Sequence, residues 1–242
     1  MVPENTSGPI DCACVIHGNA YSWEYVDRLY SMLCRNLTRP VRLHVYTEKD
    51  RVVSAPYVKH ELDDWGLSGP KRAWWYKIQL FNTKLHSGPL LYFDLDIVII
   101  RNIDWIWNLN LHHFWTVRDF KYLWRPSYYS INSSIMWFNT EKFGYIWKNF
   151  KKQNVHATIL KYHGDQDYLS DNIPENTRQF LDLDQVKSWR WQCLDGGYIF
   201  EKKQHLAPGT GTEITDLTSV LIFHGKPKPI DIKDPVIVQH WK

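Results

Sequence analysis

Between Tyr92 and Ile100 the chain reads Tyr-Phe-Asp-Leu-Asp-Ile-Val-Ile-Ile, two aspartates one residue apart in an apolar, β-branched run. A run that is hydrophobic on both faces predicts a buried strand. A carboxylate in that setting is costly unless a cation meets it. Alternate residues of a strand face one side, so Asp94 and Asp96 can converge on a single ion. Hard oxygen donors suit Mg²⁺ or Mn²⁺, ions that commonly arrive with a substrate phosphate. A nucleotide-dependent enzyme is the first expectation. The other reading of the pair is two strand-end acids that cap a helix or meet Lys or Arg.

The elements around the run point to an α/β fold. Ile10 to His17 reads as a first strand, and Gly18-Asn19-Ala20-Tyr21 as a strand-to-helix turn. From Tyr21 to Leu37, Trp23, Val26, Leu29, Tyr30 and Leu33 recur at three- and four-residue steps, the period of a helix. Val41 to Thr47 alternates as a second strand. A loop rich in Asp, Gly, Ser and Pro runs to about Pro70. A helix carrying Trp74, Ile78, Leu80, Phe81 and Leu85 follows, and Ser87-Gly88-Pro89 stops it before the aspartate strand. Strand, helix, strand, helix, strand is the order of a mostly parallel, Rossmann-like sheet with flanking helices. Further on, Phe114–Val117, Ser134–Phe138 and Val220–Phe223 read as strands, and Thr140–Gln153 and Gly164–Ser170 as helices. Residues 1–9 hold little to bury and are expected to be disordered, leaving residues 10–242 as one domain.

Composition narrows the function. A net charge of +3, with no block of like charges, argues against a nucleic-acid partner. No apolar stretch follows a basic N-terminal region, and no run is long enough to span a bilayer, so a cytoplasmic setting is expected. Peripheral membrane contact stays open. Cys12, Cys14, Cys34 and Cys193 lack the paired spacing of a zinc site and read as free thiols. Thirteen Trp and fourteen Tyr can fill a core or offer faces on which sugars stack.

Other residues carry compatible chemistry. His224 ends a short apolar strand at a Gly/Pro turn; as third ligand to the aspartates it would favour Mn²⁺ over Mg²⁺. Lys226 and Lys228 follow Gly225 and can neutralise a phosphate, or form a solvated basic turn. Asp165 and Gln166 open a helix, where Asp165 can cap the end or face sugar hydroxyls. Asn132 and Ser133 precede a strand and can serve a turn or a ligand. Lys77 can snorkel to the surface or contact phosphate.

Together these stretches resemble the GT-A fold glycosyltransferases, specifically the retaining family of glycogenin and the bacterial lipopolysaccharide galactosyltransferases. The resemblance runs in patches from about Cys14 to Pro229. Val15-Ile16-His17-Gly18-Asn19-Ala20-Tyr21 resembles the family's first strand and turn, whose backbone and Tyr hold the nucleobase. Trp75-Tyr76-Lys77-Ile78 and the Asp94-Leu95-Asp96 motif resemble its lysine helix and metal motif. Asn132-Ser133-Ser134 resembles the strand beside the donor sugar, with Ser134 where the family has Gly. Gly164-Asp165-Gln166 matches a helix start, and Phe223 to Pro229 resembles the closing metal-histidine and diphosphate-lysine segment. In that segment the family places its histidine three residues before the Gly, a position held here by Ile222.

The resemblance implies a retaining transfer from a nucleotide-diphosphate sugar, a UDP-hexose, to a glycan or glycoconjugate. It implies a donor site of Val15, Ile16, His17, Gly18, Tyr21, Lys77, Asp94, Leu95, Asn132, Ser133, Gly225, Lys226 and Lys228. The metal would be held by Asp94, Asp96 and His224, with Asp165 and Gln166 at the sugar. Two alternatives remain at this level: a haloacid-dehalogenase-like phosphatase using Asp94 as nucleophile, and a sugar-binding protein without turnover.

Overall fold

The computed structural model describes residues 8–67, 72–123, 125–193 and 214–242. Strand β1 (Ile10–Val15) leads through helix α1 (Glu24–Asn36) to β2 (Val41–Thr47), which lies parallel beside it. On α1, Val26, Leu29, Met32 and Leu33 are fully buried, while Glu24 and Arg28 pair across one turn of the outer face. The helix starts three residues later than its apolar period implies. β3 (Val58–Glu61) joins the far edge of β2, and β4 (Pro89–Phe93) joins the other side of β1, both parallel. Beyond β4 come antiparallel β7 (Ile131–Asn139), β6 (Phe114–Arg118) and β8 (Arg178–Phe180), giving the order β3-β2-β1-β4-β7-β6-β8. A second sheet of β5 (Ile97–Ile99), β10 (Val220–Ile222) and β9 (Val186–Ser188) runs in the order β5-β10-β9.

Two apolar layers cover the large sheet. One includes Ile10, Cys12 and Cys14 with α1 and the second sheet. The other includes Ala13, Tyr46 and Tyr92 with the 3₁₀ segment Ala73–Phe81, α3 (Tyr145–Lys152) and α5 (Asp165–Asn172). Most of the Trp, Tyr and Phe content lies buried or partly buried in these layers, Trp75, Tyr92, Phe138 and Tyr168 among the most deeply buried.

Several sequence expectations need correcting. The run from Tyr92 to Ile100 is two strands in two sheets. Asp94 N–H still donates to Ser134 O in β7, whereas Asp96 O already accepts from Phe223 N–H just past β10. The chain therefore changes sheets across the aspartates. The expected helix over Thr140–Gln153 is broken into α2 (Thr140–Phe143) and α3 at Gly144. A Cβ there would stand 2.8 Å from Thr83 Cγ2 and 2.9 Å from Thr140 O, so only glycine fits. The cap of α5 is Gly164; Asp165 is its first helical residue and does not cap it. β3 lies hidden in the loop region, because Val-Lys-His-Glu has no apolar alternation. Of the expected disordered extension, residues 1–7 lie outside the described residues; Gly8 O accepts two bonds from the Arg39 guanidinium. Among the described residues no helix is long and apolar enough to cross a membrane.

Candidate functional site

β1 and β4 run parallel, so their carboxyl ends open on the same side of the sheet. β7 is antiparallel to β4, which brings its amino-terminal residues to that end: Phe93 stands opposite Ile135. Ligands of open α/β sheets bind outside the carboxyl ends of the strands. Here the fold gathers Tyr21, Lys77, Asp94, Asp96, Ser133, Asp165 and Lys228.

Lys77 is the hub of one half. Its Nζ lies 2.7 Å from Asp94 Oδ1 and 3.9 Å from Asp165 Oδ2, and donates to Ser133 Oγ at 3.2 Å. Ser133 donates in turn to Asp165 Oδ2 at 2.5 Å, and Tyr92 donates to Asp94 Oδ1 at 2.5 Å. Lys77 is therefore a buried, paired lysine and does not snorkel. Burial works against its charge, but Asp94 and Asp165 outweigh that and raise its pKa. The other half centres on Asp96. Tyr21 donates to its Oδ2 at 3.0 Å, and Lys228 Nζ donates both to that oxygen and to Tyr21 Oη, the latter at 2.8 Å. Burial raises the pKa of Asp96 against the pull of Lys228, with Asp94 adding repulsion. Burial likewise raises Asp165 against the pull of Lys77 and Ser133. Three carboxylates thus face two ammonium groups in a largely buried cluster, and the balance is short of positive charge.

The remaining expected residues fall into place unevenly. Gln166 Oε1 accepts from Ser133 N–H at 3.1 Å, and Asn132 Oδ1 accepts from Ser134 N–H at 3.0 Å. Ile16 and Leu95 are buried and Val15 is partly buried, so they present backbone more than side chain. The His17 ring stacks on Tyr76 with centroids 3.9 Å apart. Gly18 has φ +66°, a left-handed turn. Gly225 has φ +75°, and a Cβ there would lie 2.9 Å from Arg190 Nη1. Lys226 is exposed, and its side chain makes no hydrogen bond or ion pair among the described residues. His224 is held elsewhere: its Nε2 bonds Ser188 Oγ at 2.7 Å. Burial, with Arg190 and Lys228 nearby, pushes its pKa down to about 3, so the ring is neutral. The ligand atoms of Asp94, Asp96 and His224 are not gathered within 4.8 Å of one another.

Sequence reading missed the support of the Gly18 turn. Glu48 accepts from Gly18 N–H, and Arg51 donates to Glu48 Oε2 at 2.9 Å and to Gly18 O at 2.8 Å. Burial alone would raise Glu48, but bonds from Arg51, Thr47 and Gly18 N–H hold it at about 2. These partners lie some thirty residues from the turn, beyond any local motif.

The sequence matches no family model and no curated protein. Solved structures do match. An active-site mutant of LgtC aligns over 93% of this chain and 90% of its own length, with TM-score 0.66 and 13% identity. The galactosyltransferase LgtC with donor and acceptor sugar analogues has the same identity and coverage, with TM-score 0.61. The glycosyltransferase GlyE of Streptococcus pneumoniae TIGR4 aligns over 91% of this chain and 56% of its own, at 13% identity and TM-score 0.63. The chain has the GT-A fold. That is the architecture implied by the sequence patches of the lysine helix, the aspartate motif and the Gly-Asp-Gln helix start.

Proposed function

We propose that this chain is a glycosyltransferase that moves a hexose from a UDP-sugar to a glycan or glycoconjugate acceptor, with retention at the anomeric carbon. The observation that carries the reading is the paired cluster at the carboxyl end of β1 and β4, where Lys77 and Lys228 face Asp94, Asp96 and Asp165. Its position matches the ligand-binding end of an α/β sheet. The likeness to LgtC, itself captured with donor and acceptor sugar analogues, supports the same class of ligands.

A divalent cation fits the cluster. Asp94 and Asp96 supply hard oxygen donors, the site lacks positive charge, and the Lys228 ammonium already occupies a cation position on Asp96. Asp94 and Asp96 would hold Mn²⁺ or Mg²⁺, with neutral His224 as third ligand once its bond to Ser188 is released; bound there, the ion supplies Lewis-acid stabilisation of the departing diphosphate. The chain's own groups do the rest. Lys228, released from Asp96, places its ammonium on the diphosphate and stabilises charge that grows as the sugar–phosphate bond breaks. The Gly18 turn, its own N–H and C=O braced by Glu48 and Arg51, fixes the neighbouring backbone for the base beside the His17–Tyr76 stack. Asp165 and Gln166 are fixed by Ser133 on the sugar side, where a buried carboxylate can orient the hexose and stabilise an oxocarbenium-like state. Lys77 holds the Asp94 and Asp165 carboxylates in place.

Incubation with UDP-glucose or UDP-galactose, Mn²⁺ and a panel of sugar acceptors tests the proposal. Proton NMR of the product would show an anomer of the same configuration as the donor. An inverted product refutes retention. Absence of both transfer and donor hydrolysis across the panel refutes the activity.

A further inference from the structure

We propose that Asp11, His44 and His86 form a zinc site at the amino-terminal end of the sheet, with His60 orienting His44. Asp11 comes from the start of β1, His44 from the middle of β2, and His86 from the turn that precedes β4. One ligand atom from each lies within 4.8 Å of the others, and among the described residues no other trio of His, Cys, Asp or Glu gathers so closely. The site is separate from the cleft at the carboxyl end. Asp11 stands near the amino end of β1 and Val15 at its carboxyl end, roughly 13 Å apart at about 3.3 Å per strand residue.

The geometry suits a metal with imidazole preference. His44 Nε2 lies 2.9 Å from Asp11 Oδ1. Two donors at zinc bond lengths and a tetrahedral angle stand about 3.3 Å apart, so a shift of a few tenths of an ångström would bring this pair to zinc spacing. His86 Nε2 donates to Pro89 O at 3.1 Å, which leaves the lone pair of the neutral ring on Nδ1. The His86 ring meets His44 edge-on, with centroids 4.9 Å apart. His44 Nδ1 lies 2.7 Å from His60 Nε2. If that Nδ1 carries the proton, the Nε2 lone pair faces Asp11, the tautomer a metal requires; a metal-bound histidine typically donates its other N–H to such a partner.

Arg42 Nη1, 3.4 Å from Asp11 Oδ1, is the competing cation; its side chain is about half exposed and can swing away. Tyr46 stacks on His60 and buries a hydroxyl that has no hydrogen-bond partner. A zinc ion here would tie β1, β2 and the entry to β4 into one unit. Two imidazoles and one carboxylate are a common zinc donor set, with water completing the coordination from the partly exposed Asp11 side.

The test uses the full chain carrying Asp94→Asn and Asp96→Asn, so that the other cleft holds no competing carboxylate pair. After EDTA treatment and dialysis, ZnCl₂ is titrated by calorimetry, and CoCl₂ is added to a parallel sample. The expected result is one zinc per chain and visible cobalt absorption that zinc abolishes. His86→Ala, on a turn outside the strands, should remove both signals. His60→Ala should weaken zinc by about ten- to a hundredfold with stoichiometry kept. His60→Gln, whose amide oxygen still accepts from His44, should recover most of the loss. Absence of both zinc binding and cobalt absorption overturns the site and leaves the cluster a metal-free hydrogen-bonded relay. Equal zinc affinity in His86→Ala overturns it as well.

Discussion

At its carboxyl end β1 opens on Asp94, Asp96 and Asp165 with two lysines; at its amino end it carries Asp11 beside His44, His60 and His86. Both clusters lie against the same sheet, yet they solve the cost of buried polarity in opposite ways. At the carboxyl end, charge is met by charge, and burial still raises two of the acids because the ammonium groups are too few. At the amino end, burial disfavours charge on His60 and His86, hydrogen bonds join His44 to His60 and to Asp11, and the one carboxylate faces Arg42. A site short of positive charge is prepared for a cation that arrives with its ligand. A site of two imidazoles and one carboxylate is prepared for an ion that stays.

The largest test of this contrast is Asp96→Asn. Sugar transfer should fall by about 10²–10³-fold, the scale of losing one preorganised electrostatic group. Zinc stoichiometry at the amino end should stay at one, and its loss in this variant would mean the two ends are not independent. Lys228→Ala should cost about 10²-fold in kcat. An effect confined to the acceptor KM would remove Lys228 from the diphosphate.

Asp165→Asn separates function from stability. Because the folded pKa of Asp165 is raised, the folded state holds its proton more tightly than the unfolded chain. Stability therefore falls as pH rises from the ordinary carboxylate value through the raised one. The variant should lose about tenfold or more in turnover, while its Tm at pH 7 stays level or rises. A lower Tm would show that Asp165 serves the fold.

The smallest effect is expected at Glu48. Its pKa drops from the ordinary 4.5 to about 2 in the folded chain. The stabilisation it gives is complete above 4.5 and is lost as pH falls toward 2. The Tm advantage of the native chain over Glu48→Gln should shrink steadily over that window, and a constant gap would contradict the assignment.

Local periodicity made β1, α1 and β2 legible, because Val26, Leu29 and Leu33 on α1 and the alternation of β2 report burial directly. The split between β4 and β5 was not legible, since an apolar run gives the same pattern whether its partner is Ser134 or Phe223. At the carboxyl end, Lys77, Asp94 and Asp165 were singled out from motifs, but the lysine's pairing to both acids needs three elements to meet. His224 was expected at the metal and instead bonds Ser188, a residue with no motif of its own. The amino-end cluster left no sequence trace, as Asp11, His44 and His86 are brought together only by strand pairing and the turn into β4.

The central claim is that the carboxyl-end cluster binds a nucleotide sugar through a cation on Asp94 and Asp96. Thermal unfolding with UDP-glucose, UDP-galactose or UDP, each with and without Mn²⁺, tests it directly. A ligand at a hundredfold excess over its Kd stabilises the native state by about 2.7 kcal/mol. The account predicts a rise in Tm that requires Mn²⁺ and disappears in Asp96→Asn. No rise with any nucleotide, or an equal rise in Asp96→Asn, would contradict it.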